Sequence, residues 1–235
     1  MGEISRSLVL PTRDDVSHIS LLIQVARSVD SEIEVVVVDS GSALENQKLI
    51  QSQLRDLNLK GVTSNYIKSE QGLGVALEAG FRFSSGKILI WFPTDGQLSP
   101  RVLEEVIERS NSADCVYVSR ASYSTATSRI RNLLSKVDKL IVRVLLKIPF
   151  LDFGGVYAVP TWVFESLSFR YRTAAINWSI LHLCQMYGLK IDRVQAQVSR
   201  RTENVSRIRR IEMARYPVEL LRHFLRLKFF DTRKP

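Results

Sequence analysis

EQGLGVALEAGFRFSSGKILIWFPTDGQLSP, residues 70–100, decides the fold class, because helix, strand and polar loop follow one another in it without a linker. Leu73–Phe83 places apolar residues three and four apart, as a helix packed on a sheet requires. Ile88–Phe92 is a short, apolar, β-rich run of strand length. Thr94–Gln97 is polar and turn-forming, and a helical pattern over Pro100–Ser110 follows it. That alternation is the rhythm of parallel βαβ units.

The same rhythm extends toward the N-terminus and on to Ser119. Ser7–Leu10, Glu34–Val38, Val62–Ile67 and Cys115–Val118 read as further strands, with helices over Val16–Val29 and Ala43–Leu57. The predicted class is α/β, a doubly wound, mostly parallel sheet whose ligands lie at the carboxyl ends of its strands. Beyond Ser119 the pattern predicts a long amphipathic helix over Thr127–Lys147 and a strand over Phe153–Val159. Helices over Trp162–Leu167 and Trp178–Tyr187 and a last strand over Lys190–Val198 complete it. From Ser206 apolar residues alternate with arginines, and Pro217 is expected to kink that helix or divide it. No repeat or low-complexity linker is visible, so residues 1–205 read as one domain and 206–235 as a basic amphipathic extension.

Composition bounds the function. The 235 residues, 45% hydrophobic and 24% charged, are enough for one large domain with a full core. Cys115 and Cys184 each sit in an apolar stretch, which excludes a disulfide framework and favours a reducing compartment. His18, His182 and His223 fall in helical patterns without a partner at ligand spacing, so zinc is not expected. The opening MGEISRSLVLPTRDD lacks the basic start and apolar core of a signal peptide, and no export is expected. Leu140–Phe164 is interrupted by Arg143, Lys147 and Asp152, too charged to span a bilayer. Gly-x-Ser-x-Gly, Walker and Gly-x-Gly-x-x-Gly motifs are absent, against hydrolase, nucleotide triphosphatase and dinucleotide oxidoreductase readings.

The net charge of +9 is concentrated at one end, where residues 200–235 hold eleven Lys/Arg against four acids. Such a tail suits nucleic acid, acidic lipid headgroups or phosphorylated substrates. Its aromatics Tyr216, Phe224, Phe229 and Phe230 alternate with leucines at helical spacing, which favours an apolar helix face over a base-stacking platform. The expected partner is therefore an anionic membrane surface on the cytoplasmic face, with no nucleic acid. In that arrangement Ile211, Leu221, Phe224 and Leu225 point inward to the lipid and the arginines lie at headgroups.

Four strand ends carry polar, turn-forming clusters: Pro-Thr-Arg-Asp-Asp at 11–15, Asp-Ser-Gly-Ser at 39–42, Gln-Gly-Leu-Gly at 71–74 and Thr-Asp-Gly-Gln at 94–97. In a parallel sheet these loops open on one edge, so Asp15, Asp39 and Asp95 line one crevice. Carboxylates there can bind a nucleobase or ribose, or hold a divalent cation that bridges a diphosphate. Gly72 and Gly74, opening a helix, let backbone approach a ligand. Taken singly, an aspartate after a strand is more often a turn former or helix cap than a ligand.

In combination these segments resemble the family 2 glycosyltransferases of GT-A fold, from Ser7 to Arg207. SLVLPTRDD is similar to the first strand and its Pro-Thr-Tyr-Asn-Glu loop, which puts Pro11, Arg13 and Asp15 at the nucleotide sugar. EVVVVDSGS resembles the Val-Asp-Asp-Gly-Ser segment through Asp39. EQGLGVALEAGFRFSSGKILIWFPTDGQLSP keeps the family's spacing through Gly72, Gly80, Gly86, Asp95, Gln97 and Pro100, with Pro93 where the first acid of Asp-x-Asp stands. The resemblance implies that Gln71, Gly72, Asp95 and Gln97 meet the donor, and that Asp95 with Gln97 holds Mg²⁺ or Mn²⁺.

The second half resembles the dolichyl- and polyprenyl-phosphate sugar transferases. VSRAS places Arg120, Arg-Asn-Leu-Leu-Ser places Arg131 and Ser135, and DFGGVY resembles an Asp-x-x-x-Gly-Phe-Arg strand. Arg201-Thr-Glu-Asn-Val-Ser206-Arg207 is similar to Arg-x-x-Gly-x-Ser-Lys. The resemblance implies that Arg120, Arg131, Ser135, Arg201, Ser206 and Arg207 bind the diphosphate and acceptor phosphate, and that Asp95, Arg131 and Arg201 carry catalysis. Arginine suits phosphate because its planar fork binds oxygens bidentately. A lipid-phosphate acceptor follows from the resemblance, with a membrane-protein partner also compatible. A glycan-hydroxyl acceptor, or a non-catalytic relative that binds nucleotide sugar, phosphate or lipid, remains the alternative reading.

Overall fold

The computed structural model describes residues 5–59, 64–120, 142, 144, 153–167, 170–199 and 210–229. Among these, seven strands form a single sheet in the order β3-β2-β1-β4-β6-β5-β7. They are β1 (Arg6–Thr12), β2 (Glu34–Asp39), β3 (Asn65–Lys68), β4 (Ile88–Trp91), β5 (Cys115–Arg120), β6 (Phe153–Pro160) and β7 (Ile191–Ala196). The helices are α1 (Ile19–Val29), α2 (Leu44–Leu59), α3 (Leu73–Phe83), α4 (Pro100–Arg109), α5 (Thr161–Glu165), α6 (Ala175–Met186) and α7 (Arg210–Phe229).

Leu8, Val9 and Leu10 of β1 and Val35–Val38 of β2 are completely buried. Side chains on both faces of these strands are thus covered, which is why the runs read as continuous apolar stretches and not as alternating ones. Helix α1 packs on α4, α3 on β1 and β2, and α6 on β6 and α7. Phe81 of α3 stacks edge-on against Phe164 of α5 and tilts toward Tyr157 of β6. Each ring fills a gap between layers that a smaller side chain would leave open.

The sheet is parallel except for β6, which pairs antiparallel with both β4 and β5. Neither the composition nor the period of Phe-Gly-Gly-Val-Tyr-Ala-Val-Pro reports that direction. Because β6 is reversed, its amino end lies at the same edge as the carboxyl ends of all the other strands. Of the helix expected over 127–147, Val142 and Val144 are described, both helical, and Val142 is buried in the core.

The expected basic tail is, over Arg210–Phe229, one helix that runs through Pro217 without dividing. It docks on the domain: Leu220 and His223 are core residues, and Tyr216, Phe224 and Leu227 pack against the core. Phe224 therefore does not share the outward apolar face expected for it. That face consists of Val218, Leu221 and Leu225, exposed by 64%, 45% and 41%. No helix among the described residues is long and apolar enough to cross a membrane.

Candidate donor crevice

Strand order reverses between β1 and β4, whose connections leave in opposite directions. Loops at such a switch point diverge and leave a crevice above the carboxyl ends. The crevice is walled by loops 11–15 and 93–97, which are tied together where Thr94 Oγ1 donates to Pro11 O at 3.2 Å. Pro11, Arg13, Asp15, Asp95 and Gln97 are all half-buried on these two loops.

Asp95 closes a small turn, its Oδ1 accepting Gln97 N at 3.2 Å. Gly96 has φ +69°, and a Cβ there would land on the His18 imidazole. Glycine is required on both counts, left-handed backbone and close approach. His18 was placed inside a helix by its sequence pattern, but α1 starts only at Ile19 and His18 is its N-cap, with Nδ1 2.9 Å from Ser17 Oγ. The late helix start turns the ring toward the Asp95 loop. On the other side, Gln97 O accepts Ser199 N at 2.9 Å, which brings the chain after β7 to the same loop.

Asp39, at the end of β2, is almost wholly buried. Its Oδ1 accepts Ser42 N at 2.8 Å and its Oδ2 accepts Tyr66 OH at 2.7 Å. Burial, and then the bond to Asp39, pushes the Tyr66 hydroxyl pKa up to about 12, so it stays a donor at any physiological pH. Two of the carboxylate's lone pairs are thus committed to holding the loop. Asp14, which sequence reading passed over in favour of Asp15, has φ +61° and reaches across to α2. Its Oδ1 accepts Ala43 N at 2.6 Å and Asn46 Nδ2 at 2.9 Å, while its own N–H donates to Ser42 Oγ at 2.8 Å. It caps the start of α2 from another loop, and short Asp tolerates the left-handed conformation this needs.

Gln71 lies over Gly41, its Nε2 3.2 Å from where a Cβ would stand. This joins the third loop to the second. Gly72 and Gly74 were expected to let backbone approach a ligand; here the approaching backbone is the chain's own. A Cβ on Gly72 would be 2.6 Å from Arg172 O, and one on Gly74 would be 2.7 Å from both Tyr171 O and Thr173 O.

Trp91, Gly155 and Asn177 form a group at the same sheet edge, and of the three only Gly155, within DFGGVY, belongs to a motif singled out in the second half of the sequence. A Cβ on Gly155, at φ +87°, would be 3.3 Å from Asn177 Nδ2 and from Trp91 Cζ2. Arg120 is the last residue of β5, paired in register with Ala196, so its backbone reaches the crevice edge. Arg131, Ser135, Asp152, Arg201, Ser206 and Arg207 lie outside the described residues. Among the described residues, no three His, Cys, Asp or Glu side chains gather in a way that would hold a metal ion by themselves.

The family model for glycosyl transferase family 2 matches residues 7–180, which take in the whole crevice. The chain belongs to that family. An uncharacterized glycosyltransferase of Nostoc sp. is 29% identical over 94 residues, 40% of this chain, and the chain matches 29% of that relative's length. Glucosyl-3-phosphoglycerate synthase from Mycobacterium tuberculosis, with Mn²⁺, UDP and glucosyl-3-phosphoglycerate, superposes with a TM-score of 0.68 at 18% identity, over 97% of this chain and 82% of the other. The same enzyme with Mn²⁺, UDP-glucose and phosphoglyceric acid gives a TM-score of 0.67 at the same identity and coverage. At that identity the likeness shows the fold, which is the GT-A arrangement of family 2. None of these proteins is described as acting on a polyprenyl phosphate.

Proposed function

We propose that this family 2 chain moves a sugar from a nucleoside-diphosphate donor, seated in the β1–β4 crevice, to the phosphate of a polyprenyl acceptor at a membrane surface. The observation that carries the donor half is the convergence of loops 11–15, 39–42, 71–74 and 94–97 at the switch point. In this reading Pro11, Arg13, Asp15, Asp39, Gln71, Gly72, Asp95 and Gln97 surround the nucleotide sugar. The acceptor oxygen bonds to the anomeric carbon as the bond from that carbon to the diphosphate breaks, and the electron pair leaves with the nucleoside diphosphate. A phosphate acceptor is already anionic at neutral pH, so positioning and charge stabilisation make up most of the catalysis.

Arg120, Arg131, Arg201 and Arg207, with Ser135 and Ser206, serve as the phosphate-binding set. In support, β5 ends with Arg120 at the crevice edge, and Ser199, just before residues 200–209, is bonded to Gln97. The donor set fits a divalent cation only in company with substrate: Pro93 removes one acid, leaving Asp95 and Gln97, and Mg²⁺ is commonly held by one or two carboxylates plus substrate phosphates and water. Held so, Mg²⁺ or Mn²⁺ would neutralise charge on the leaving diphosphate.

The membrane half rests on α7, whose outward face sets exposed Val218, Leu221 and Leu225 among exposed Arg215, Arg222 and Arg226. Apolar side chains rimmed by arginine fit an anionic bilayer interface, which supports the reading of a peripheral protein on the cytoplasmic face. A second reading takes a small soluble phosphorylated acid as acceptor, favoured by the structural neighbours crystallised with phosphoglyceric acid.

A thermal-shift screen against UDP, GDP and CDP with and without Mn²⁺ tests the donor half. A nucleotide at a hundred times its Kd stabilises by about 2.7 kcal/mol, a rise in Tm of roughly 5–10 °C. The rise is expected to require Mn²⁺ and to be lost in Asp95→Asn. Equal metal and nucleotide binding by that variant would make Asp95 a turn residue alone and refute the crevice reading. Transfer of label from the responsive nucleotide sugar to undecaprenyl phosphate or to 3-phosphoglycerate then decides between the acceptors.

A further inference from the structure

Glu219 of α7 accepts three hydrogen bonds, and its partners belong to the segment between α5 and α6. Oε1 accepts Arg172 N at 3.0 Å, while Oε2 accepts Thr173 N at 3.2 Å and Thr173 Oγ1 at 2.6 Å. The Thr173 hydroxyl, turned toward Glu219, also accepts Ala175 N at 3.2 Å and so starts α6. Tyr171, on the same segment, meets His223 of α7, with its hydroxyl 2.8 Å from Nδ1. One turn of α7 therefore grips residues 171–173 by backbone and side chain together.

The opposite side of this segment is the surface on which α3 begins. Its carbonyls fill the spaces where Gly72 and Gly74 would carry a Cβ, at 2.6–2.7 Å. Arg172 also reaches over to Glu70, Nη2 to Oε2 at 2.7 Å. Residues 70–74 are thus pressed between segment 171–173 and the Gly41 loop, on which Gln71 lies. The carbonyls of 171–173 occupy the space a side chain at Gly72 or Gly74 would need, so a shift of that segment is passed on to the start of α3.

We propose that Glu219 is a positioning residue for the nucleotide-sugar donor, setting the height of Gln71 and Gly72 through residues 171–173. The proposal rests on the reading of loop 71–74 as part of the donor site. It makes the basic C-terminal helix a working part of that site as well as its candidate membrane face. A carboxylate suits the task because it accepts three hydrogen bonds at once without offering a proton, and a glutamine in its place would turn an N–H toward backbone donors.

The test compares the full-length wild type with Glu219→Ala and Glu219→Gln, by donor KM, kcat and amide hydrogen exchange. Loss of charged hydrogen bonds is expected to raise the donor KM about tenfold in Glu219→Ala, with kcat and acceptor KM within about twofold. Exchange at residues 70–76 is expected to quicken while that of α2 and α4 stays unchanged. Glu219→Gln should fall between the two, and it carries the test if Glu219→Ala does not fold. A donor KM equal to wild type in the folded variant overturns the proposal and leaves the donor crevice standing. Failure of the wild type to bind any nucleoside diphosphate overturns both.

Discussion

Lowering the pH should loosen α7 from the domain through one buried pair of histidines. His223 of α7 and His182 of α6 are joined Nε2 to Nδ1 at 3.1 Å, with Tyr171 on the other side of His223. Burial lowers the His182 pKa from 6.5 to about 4, and burial with repulsion from His182 lowers that of His223 to about 3. Both are thus neutral in the folded protein, whereas in the unfolded chain they take up protons near pH 6.5. Acid therefore favours the unfolded side. Their contribution to stability is complete above about pH 6.5 and falls as pH drops from there toward the folded-state values. At pH 5 the loss is about 2 kcal/mol for each histidine, roughly 4 kcal/mol for the pair, a large share of a typical 5–15 kcal/mol. The assay is urea unfolding at pH 7.5 and 5.0 for wild type, His182→Gln, and His182→Gln/His223→Gln. The single variant should lose about half of the excess acid sensitivity and the double variant nearly all of it, since other titrating groups are common to every protein compared. An unchanged acid dependence in the folded double variant would refute the burial argument.

Three further outcomes are expected. Gly74→Ala places a methyl group 2.7 Å from two backbone carbonyls, so it should cost about 2 kcal/mol and lower Tm by roughly 4–8 °C in a calorimetric scan. Leu221→Asp and Leu225→Asp, on the outward face of α7, should abolish sedimentation with anionic liposomes while leaving Tm within about 1 °C, the effect of an exposed substitution. Arg131→Ala and Arg201→Ala should each remove transfer to polyprenyl phosphate, measured by radiolabel in the lipid phase, with the circular dichroism spectrum unchanged; full activity in either would remove that arginine from the phosphate-binding set.

Local chemistry made much of the first half legible. The apolar runs ending at Thr12, Asp39 and Trp91 carry their strand signal in their own composition, and the glycine spacing from Gly72 to Gly86 carries the helix between them. Burial on both faces made these runs continuous, so they stood out. Boundaries were less visible: His18 sits at a helix cap and not inside the helix because the 11–15 loop runs on before α1 begins. Asp14 outranks Asp15 as the bridge to α2, since its left-handed backbone aims the carboxylate at Ala43 and Asn46, a direction no single-residue pattern encodes.

What the chain alone determined is the set of elements and the four polar loops at strand ends, because period, propensity and turn chemistry are short-range properties. Only the tertiary structure decided that β6 runs against its neighbours, that Gly72 and Gly74 receive the backbone of residues 171–173, and that Glu219 and His223 bind the tail helix to that segment. Each of those depends on groups far apart in sequence, chosen by how whole layers pack. Glu219 looks like any other acid on a charged helix until folding sets it against two backbone N–H groups and a hydroxyl that donate to it.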